Sequence, residues 1–236
     1  KTPLQSKPYV DMTIKVMADY GVNVKETDFG YLIKGKQKYK VQDYIVEGDW
    51  SHSAFYLVAG AINGSVTVKG LDLNSTQGDK AIVDVIRKFG GNITVDENGV
   101  TATKSELHGA VVDATDIPDL VPAIAVLAAF ANGETVIKGA QRLRYKESDR
   151  IESVVYNLKQ LGVDVEQTQD GMIINGGKML HQAKLKGYND HRIVMAFSVA
   201  MMNIGGCEID DAQSINKSYP SFFDDYNKLG GKADVL

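Results

Sequence analysis

Leu158-Lys159-Gln160-Leu161-Gly162-Val163 closes an amphipathic helix pattern on a glycine and passes at once into an alternating stretch. This phrase decides the fold because the chain repeats it. It returns as Val16-Met17-Ala18-Asp19-Tyr20-Gly21-Val22, as Val85-Ile86-Arg87-Lys88-Phe89-Gly90-Gly91 and as Tyr226-Asn227-Lys228-Leu229-Gly230-Gly231. The glycines stand about 70 residues apart, too far for common solenoid repeats and suited to a compact α/β unit. Each falls where a helix end calls for a left-handed residue, which is a structural role.

Working outward, a second phrase joins an apolar helix to a glycine and then a strand. It runs from Ala54 to Val68 around Gly64, from Ile124 to Lys138 around Gly133, and from Val194 to Asp210 around Gly205 and Gly206. The alternation in Ser65-Val66-Thr67-Val68, Glu134-Thr135-Val136-Ile137 and Cys207-Glu208-Ile209 predicts half-buried strands. Turn signals at Asp96-Glu97-Asn98-Gly99 and Gln169-Asp170-Gly171 return the chain as a further strand. Each unit therefore reads helix, strand, helix, strand, turn, strand, and several would pack as an α/β body of mixed sheets around buried helices. The first forty or so residues carry only the tail of one unit. A polar and aromatic loop, Lys36 to Tyr44, then leads to Val46-Glu47-Gly48-Asp49, and a domain boundary is expected near residue 47.

The bulk composition excludes more than it identifies. Hydrophobic residues make up 44% and charged residues 24% of the 236, as in ordinary globular chains. A net charge of -4 argues against a general nucleic-acid or anionic-membrane binder, so any anion site must come from local clustering of cations. The single Cys207 allows no intrachain disulfide and fits a reducing, cytoplasmic setting. The longest apolar run, Leu120 to Ala131, is too short to span a bilayer and contains Pro122. The start on Lys1, without a signal-peptide pattern, reads as a trimmed piece of a longer protein.

The densest charged stretch is Arg142-Leu143-Arg144-Tyr145-Lys146-Glu147-Ser148-Asp149-Arg150, directly before the helix expected over Ile151 to Leu161. Lys146 and Arg150 are four apart and are expected on one face at a helix start, where free N–H groups and the dipole favour phosphate or carboxylate. Glu147 beside them can move a proton. The plainer reading is a solvated capping segment with Ser148 or Asp149 as cap. Tyr188-Asn189-Asp190-His191-Arg192 repeats that placement before the apolar helix Ile193 to Met202. His191 is flanked by charges, whereas His52, His108 and His181 have no partners suggesting a metal site. In Asp116-Ile117-Pro118-Asp119 one acid is expected to cap the following helix, leaving the other free as a base. Lys217, in Ser214-Ile215-Asn216-Lys217-Ser218-Tyr219-Pro220, again stands before a helix. Nucleotide, dinucleotide and zinc motifs do not occur in the sequence.

Taken together, these segments resemble the 5-enolpyruvylshikimate-3-phosphate synthase family. The likeness rests on Leu143 to Arg150 and Tyr188 to Arg192. It extends in order through Ser6-Lys7-Pro8-Tyr9, Val46 to Asp49, Asn74-Ser75-Thr76-Gln77-Gly78-Asp79, Ile117-Pro118-Asp119 and Lys217-Ser218-Tyr219-Pro220. The resemblance implies repeated βαβαββ units in an enolpyruvyl transferase-like inverse α/β barrel. It also implies that residues 1–46 are the last unit of a first domain and 47–236 most of a second. The chain would then be the C-terminal half of a monomeric enzyme, inactive without its N-terminal half. The implied reaction joins phosphoenolpyruvate to the 5-hydroxyl of shikimate 3-phosphate, with no cofactor or metal. By the same resemblance Asp119 takes the hydroxyl proton, and Glu147 and Lys146 serve proton transfer at the enolpyruvyl carbons. Lys146, Arg150, Arg192, Lys217 and His191 would bind phosphoenolpyruvate; Ser6, Tyr9, Asp119 and Lys146 would bind shikimate 3-phosphate. Arg142 departs from the asparagine of some members. The competing readings are a UDP-N-acetylglucosamine enolpyruvyl transferase and a non-catalytic phosphometabolite-binding fragment.

Overall fold

The computed structural model describes residues 4–236; Lys1, on which the reading of a trimmed start rests, lies outside them. Three helices form its centre. They are α2 (Trp50–Asn63), α4 (Val121–Ala129) and α6 (His191–Met201), and each packs on the other two. Every residue of α4 is buried, which explains a helix apolar on all faces rather than along one stripe. Sheets and second helices lie outside this triplet, so the helix-cored reading of the repeats holds.

The middle unit shows the full topology. Strand β6 (Val111–Asp113) leads through α4 to β7 (Gly133–Lys138), and α5 (Arg150–Gln160) leads to the hairpin β8 (Asp164–Gln167) and β9 (Met172–Gly176). The sheet order is β6-β7-β9-β8, with β6 and β7 parallel and the other neighbours antiparallel. The preceding unit runs α2, β3 (Ser65–Val68), α3 (Ile82–Lys88), β4 (Asn92–Asp96) and β5 (Gly99–Thr103), ordered β3-β5-β4. The last unit pairs β10 (Lys184–Leu185) parallel to β11 (Glu208–Ile209) around α6, and ends on α7 (Phe222–Lys228). At the front, α1 (Lys7–Asp19) precedes the hairpin of β1 (Val24–Thr27) and β2 (Gly30–Ile33). Among the described residues the four sheets are separate and do not close into one barrel.

The repeated glycine phrase is a helix stop made four times. Gly21, Gly90, Gly162 and Gly230 all have positive φ, between 78° and 97°. In each case the glycine N–H and the next N–H reach back to the third and fifth preceding carbonyls, as in Val163 to Leu158 and Gly162 to Lys159. This double closure is the Schellman motif, which a residue with a Cβ makes only under strain. The likeness extends further. The carbonyls of Tyr20, Phe89 and Leu161 accept from the N–H groups of Lys40, His108 and His181, whose side chains lie over the respective glycines. His108 and His181 are thus equivalent parts of successive units, with a packing role.

Candidate active site

The starts of α4, α5 and α6 meet at one carboxylate. Asp119 lies in the 3-10 helix Pro118–Leu120 that feeds α4, and its side chain is only 12% exposed. Its Oδ1 is 2.9 Å from Arg150 Nη1 and 3.1 Å from Lys146 Nζ, and its Oδ2 is 3.4 Å from Arg192 Nη2. The Tyr9 hydroxyl of α1 donates to the same Oδ2 at 3.1 Å. Neither Asp116 nor Asp119 caps the helix, contrary to expectation; the cap positions fall to Ile117 and Leu120. Asp119 therefore spends both oxygens on the cluster.

Asp190, with no assigned role in the sequence reading beyond flanking His191, is the second pillar. Fully buried, it caps α6 and accepts from Arg150 Nε at 2.8 Å, Arg150 Nη2 at 3.2 Å and the Ser148 hydroxyl at 3.0 Å. Arg150 is thereby gripped along its guanidinium edge, with 3% of its side chain exposed. Asp149 caps α5 and pairs with Arg144 at 3.0 Å, so the plain capping reading is correct for that part of the charged stretch. Lys146 does not share a helix face with Arg150: it ends the 3-10 helix Gln141–Tyr145 in extended backbone, and the two cations meet through Asp119 instead.

Beside this hub lies a second group. His191 Nδ1 is 3.1 Å from Glu147 Oε2, and Lys217 Nζ is 3.5 Å from the same oxygen while donating to the Asn189 carbonyl. Tyr188 and Asn189 take positive φ, and this tight turn presents that carbonyl. Lys217 ends the 3-10 helix Ala212–Lys217 rather than immediately preceding α7. Ser6 is buried, also with positive φ, and accepts from Arg142 Nη1 at 2.9 Å. All nine residues singled out in the sequence thus lie in one contiguous region.

Electrostatics separate the carboxylates. Burial alone would raise Asp119, but Arg192, Lys146 and Arg150 together bring it down to about 2. Asp190 is also lowered: burial opposes ionisation, but the Arg150 hydrogen bonds and charge outweigh it. His191 is lowered by burial and by Arg192, against the pull of Glu147. Asp79 goes the other way, pushed by burial to about 6. Ligand atoms of Glu147, Asp190 and His191 approach within 4.8 Å of one another. Asp190 and Glu147 are nevertheless engaged by Arg150 and Lys217, so this donor set fits a metal cation poorly.

With this geometry in place, residues 1–226 match the family described as EPSP synthase (3-phosphoshikimate 1-carboxyvinyltransferase). The chain belongs to the EPSP synthase family. A 3-phosphoshikimate 1-carboxyvinyltransferase of Methanocaldococcus jannaschii is 43% identical over 237 residues, covering 99% of this chain and 55% of that protein. One from Clostridium novyi is 42% identical, covering 99% and 54%. The chain spans about half the length of the curated relatives it matches. Among solved structures, EPSP synthase from Acinetobacter baumannii superposes with a TM-score of 0.83 at 27% identity, over 98% of this chain and 56% of that one. The enolpyruvyl transferase NikO from Streptomyces tendae, at 19% identity and a TM-score of 0.71, shares the fold.

Within this EPSP synthase architecture the sequence reading passed over the contacts of Asp190 with Arg150 and Ser148, and of Asp79 with Ser51. Asp190 and Asp79 lie inside the quoted motif segments, but acids next to a helix start look like caps, and only the folded structure shows that both are buried. Asp49 resembles them but behaves as a cap. It receives the N–H groups of Ser51 and His52 and holds the His52 ring at 2.9 Å, while His52 Nε2 lies 3.2 Å from the Ser218 hydroxyl. Among the described residues, no helix is long and apolar enough to cross a membrane.

Proposed function

We propose that this chain forms one wall of a cytoplasmic active site transferring the enolpyruvyl group of phosphoenolpyruvate to the 5-hydroxyl of shikimate 3-phosphate, with release of phosphate. The observation that carries the reading is the convergence of Lys146, Arg150, Arg192 and Tyr9 on Asp119, beside the Glu147, His191 and Lys217 group. Protonation of the phosphoenolpyruvate methylene makes its neighbouring carbon electrophilic. The hydroxyl adds there, and phosphate leaves from the tetrahedral intermediate as the methyl group gives up a proton. Glu147 and Lys146 handle the protons at carbon, and Asp119 takes the hydroxyl proton. Arg150, Arg192, Lys217 and His191 hold the phosphate and carboxylate of phosphoenolpyruvate, while Ser6, Tyr9, Asp119 and Lys146 hold the sugar phosphate.

The pairing of Asp119 adds a physical step. A carboxylate held near 2 by three cations is ionised but a weak base. An anionic substrate that draws those cations away would raise its proton affinity, so binding itself prepares the base. The developing charges are met by cations already in place, which is electrostatic preorganisation. Residues 47–236 then act as most of one domain and 1–46 as the end of another, with the remaining cleft wall supplied by the N-terminal half of the enzyme. Two surfaces support such a partner. The sheet β10-β11 has only two strands and borders a cavity of about 870 Å³, and the segment before α2 exposes Val41, Ile45 and Val46. The decisive experiment measures phosphate release from both substrates, with and without a separately made N-terminal half. Release only with both halves is the expected result; none under either condition would overturn the proposal.

A further inference from the structure

Asp79 is a buried carboxylate among the cations and acids of the site, yet the site chemistry above gives it no task. It begins the turn after Gly78 in the 3-10 helix Gly78–Ala81 and is 3% exposed. Its Oδ2 accepts from the Ser51 hydroxyl, and its buried Oδ1 finds no partner among the described residues. The packing of Gly78 shows where it sits. A Cβ there would stand 2.9 Å from the Asp116 carbonyl and 2.9 Å from the Pro8 ring, so only glycine lets this turn wedge between the start of α1 and the loop carrying Asp119. Asp119, Asp190 and Glu147 each pair with a cation, whereas Asp79 makes no such contact among the described residues. Removing a lone carboxylate from water is costly, and such groups concentrate at working sites.

We propose that Asp79 is a positioning residue that sets the anion affinity of the site by exchanging a proton as the anion arrives at Arg192. This rests on the anion cleft of the proposed function. Ser51 at the start of α2 contacts Asp79 directly, and the charges that act on it are Arg192 on α6, Asp119 before α4 and Asp49 before α2, with Tyr9 of α1 feeling its charge in turn. Burial raises its proton affinity most, the Ser51 hydrogen bond and Arg192 lower it, and Asp119 and Asp49 raise it further, to a value of about 6. When ionised, Asp79 competes with an incoming anion for the field of Arg192; when protonated, it does not. A dianion beside Arg192 adds negative charge near Asp79, so binding takes up a proton and is tighter at lower pH.

The test uses this chain and sulfate, a dianion throughout the range. Carbon-13 NMR of the aspartate carboxyls should show Asp79 titrating near 6 and moving up by about one unit with saturating sulfate, equivalent to about sixfold tighter binding at pH 5.5 than at 7.5. Asp79→Asn keeps the size and a partner for Ser51 but cannot ionise. It should bind sulfate at pH 7.5 about as well as the unaltered chain does at 5.5, and any slope that persists belongs to His191. Sulfate that binds at Arg192, judged by its loss in Arg192→Gln, without moving Asp79 would overturn the proposal and leave the anion cleft standing. Failure of sulfate to bind at all would overturn the proposal for Asp79, while the transferase reading is decided separately by phosphate release. The unaltered chain alone decides the matter should the variant fold poorly.

Discussion

Asp119 and Glu147 carry the sharpest predictions for single residues. In an enzyme reassembled with its N-terminal half, Asp119→Ala and Glu147→Ala should each lower kcat by about 10²–10⁴, the usual loss of a general acid or base. Unchanged kcat with reduced melting temperature would make them structural. Arg150 and Arg192 should then differ from each other. Both variants to lysine lose the forked contact, and both should raise the KM for phosphoenolpyruvate more than that for shikimate 3-phosphate. Arg150→Lys also strips two hydrogen bonds from fully buried Asp190, so it alone should lower stability by about 2–4 kcal/mol in denaturant melts. Asp79 gives a pH signature. Its folded pKa of about 6 lies above the ordinary 3.8, so the folded chain holds the extra proton between those values. The stability this confers is present below pH 4 and lost as pH rises through 6. Asp79→Asn should therefore melt higher than the unaltered chain at pH 7.5, by about 2 kcal/mol, and match it near pH 4. Asp119 has the opposite sign: its contribution is present above 3.8 and lost as pH falls toward 2.

At the level of elements, the helix stops are the most regular feature. Gly90 and Gly162 combine positive φ with a histidine ring that a Cβ would meet at 2.8 Å and 2.7 Å. Gly162→Ala or Gly90→Ala should cost about 1–2 kcal/mol by equilibrium unfolding. Gly35→Ala, in open space without positive φ, should stay within about 0.5 kcal/mol. Equal effects at all three would sink the capping account. These stops were legible because a left-handed helix end is a local demand that only glycine meets cheaply. Strand β3 and the two hairpins were legible for the same reason, since alternation and turn residues act over a few positions. The start of the α4 helix was not. Asp119 looks like a cap, and what diverts its side chain is three cations from distant parts of the chain.

At the level of the molecule, the central triplet of α2, α4 and α6 buries the apolar phrases while sheets cover it unevenly. The middle unit has four strands and the last unit two, and apolar Ile45 and Val46 of the connecting segment are 93% and 81% exposed. Such an incomplete surface suits a chain that works with a further polypeptide. Accordingly, the chain alone should show no measurable enolpyruvyl transfer. Turnover within a hundredfold of common enzyme rates, about 1–1000 per second, would refute the need for a second half.

The sequence by itself determined the repeat, the helix stops, the hairpins and the residue types gathered before each buried helix, because each depends on interactions within a few positions. It also carried enough ordered motif to indicate the family. Tertiary structure alone decided which of those charges meet. Arg150 lies 31 residues from Asp119 and 40 from Asp190, yet its guanidinium spans both. Tyr9 reaches Asp119 across 110 positions. Asp79 and Asp49 are both acids near helix starts, but one is buried and the other stands at the surface. Burial and long-range pairing set proton affinity, and both arise only when the three helices are packed together.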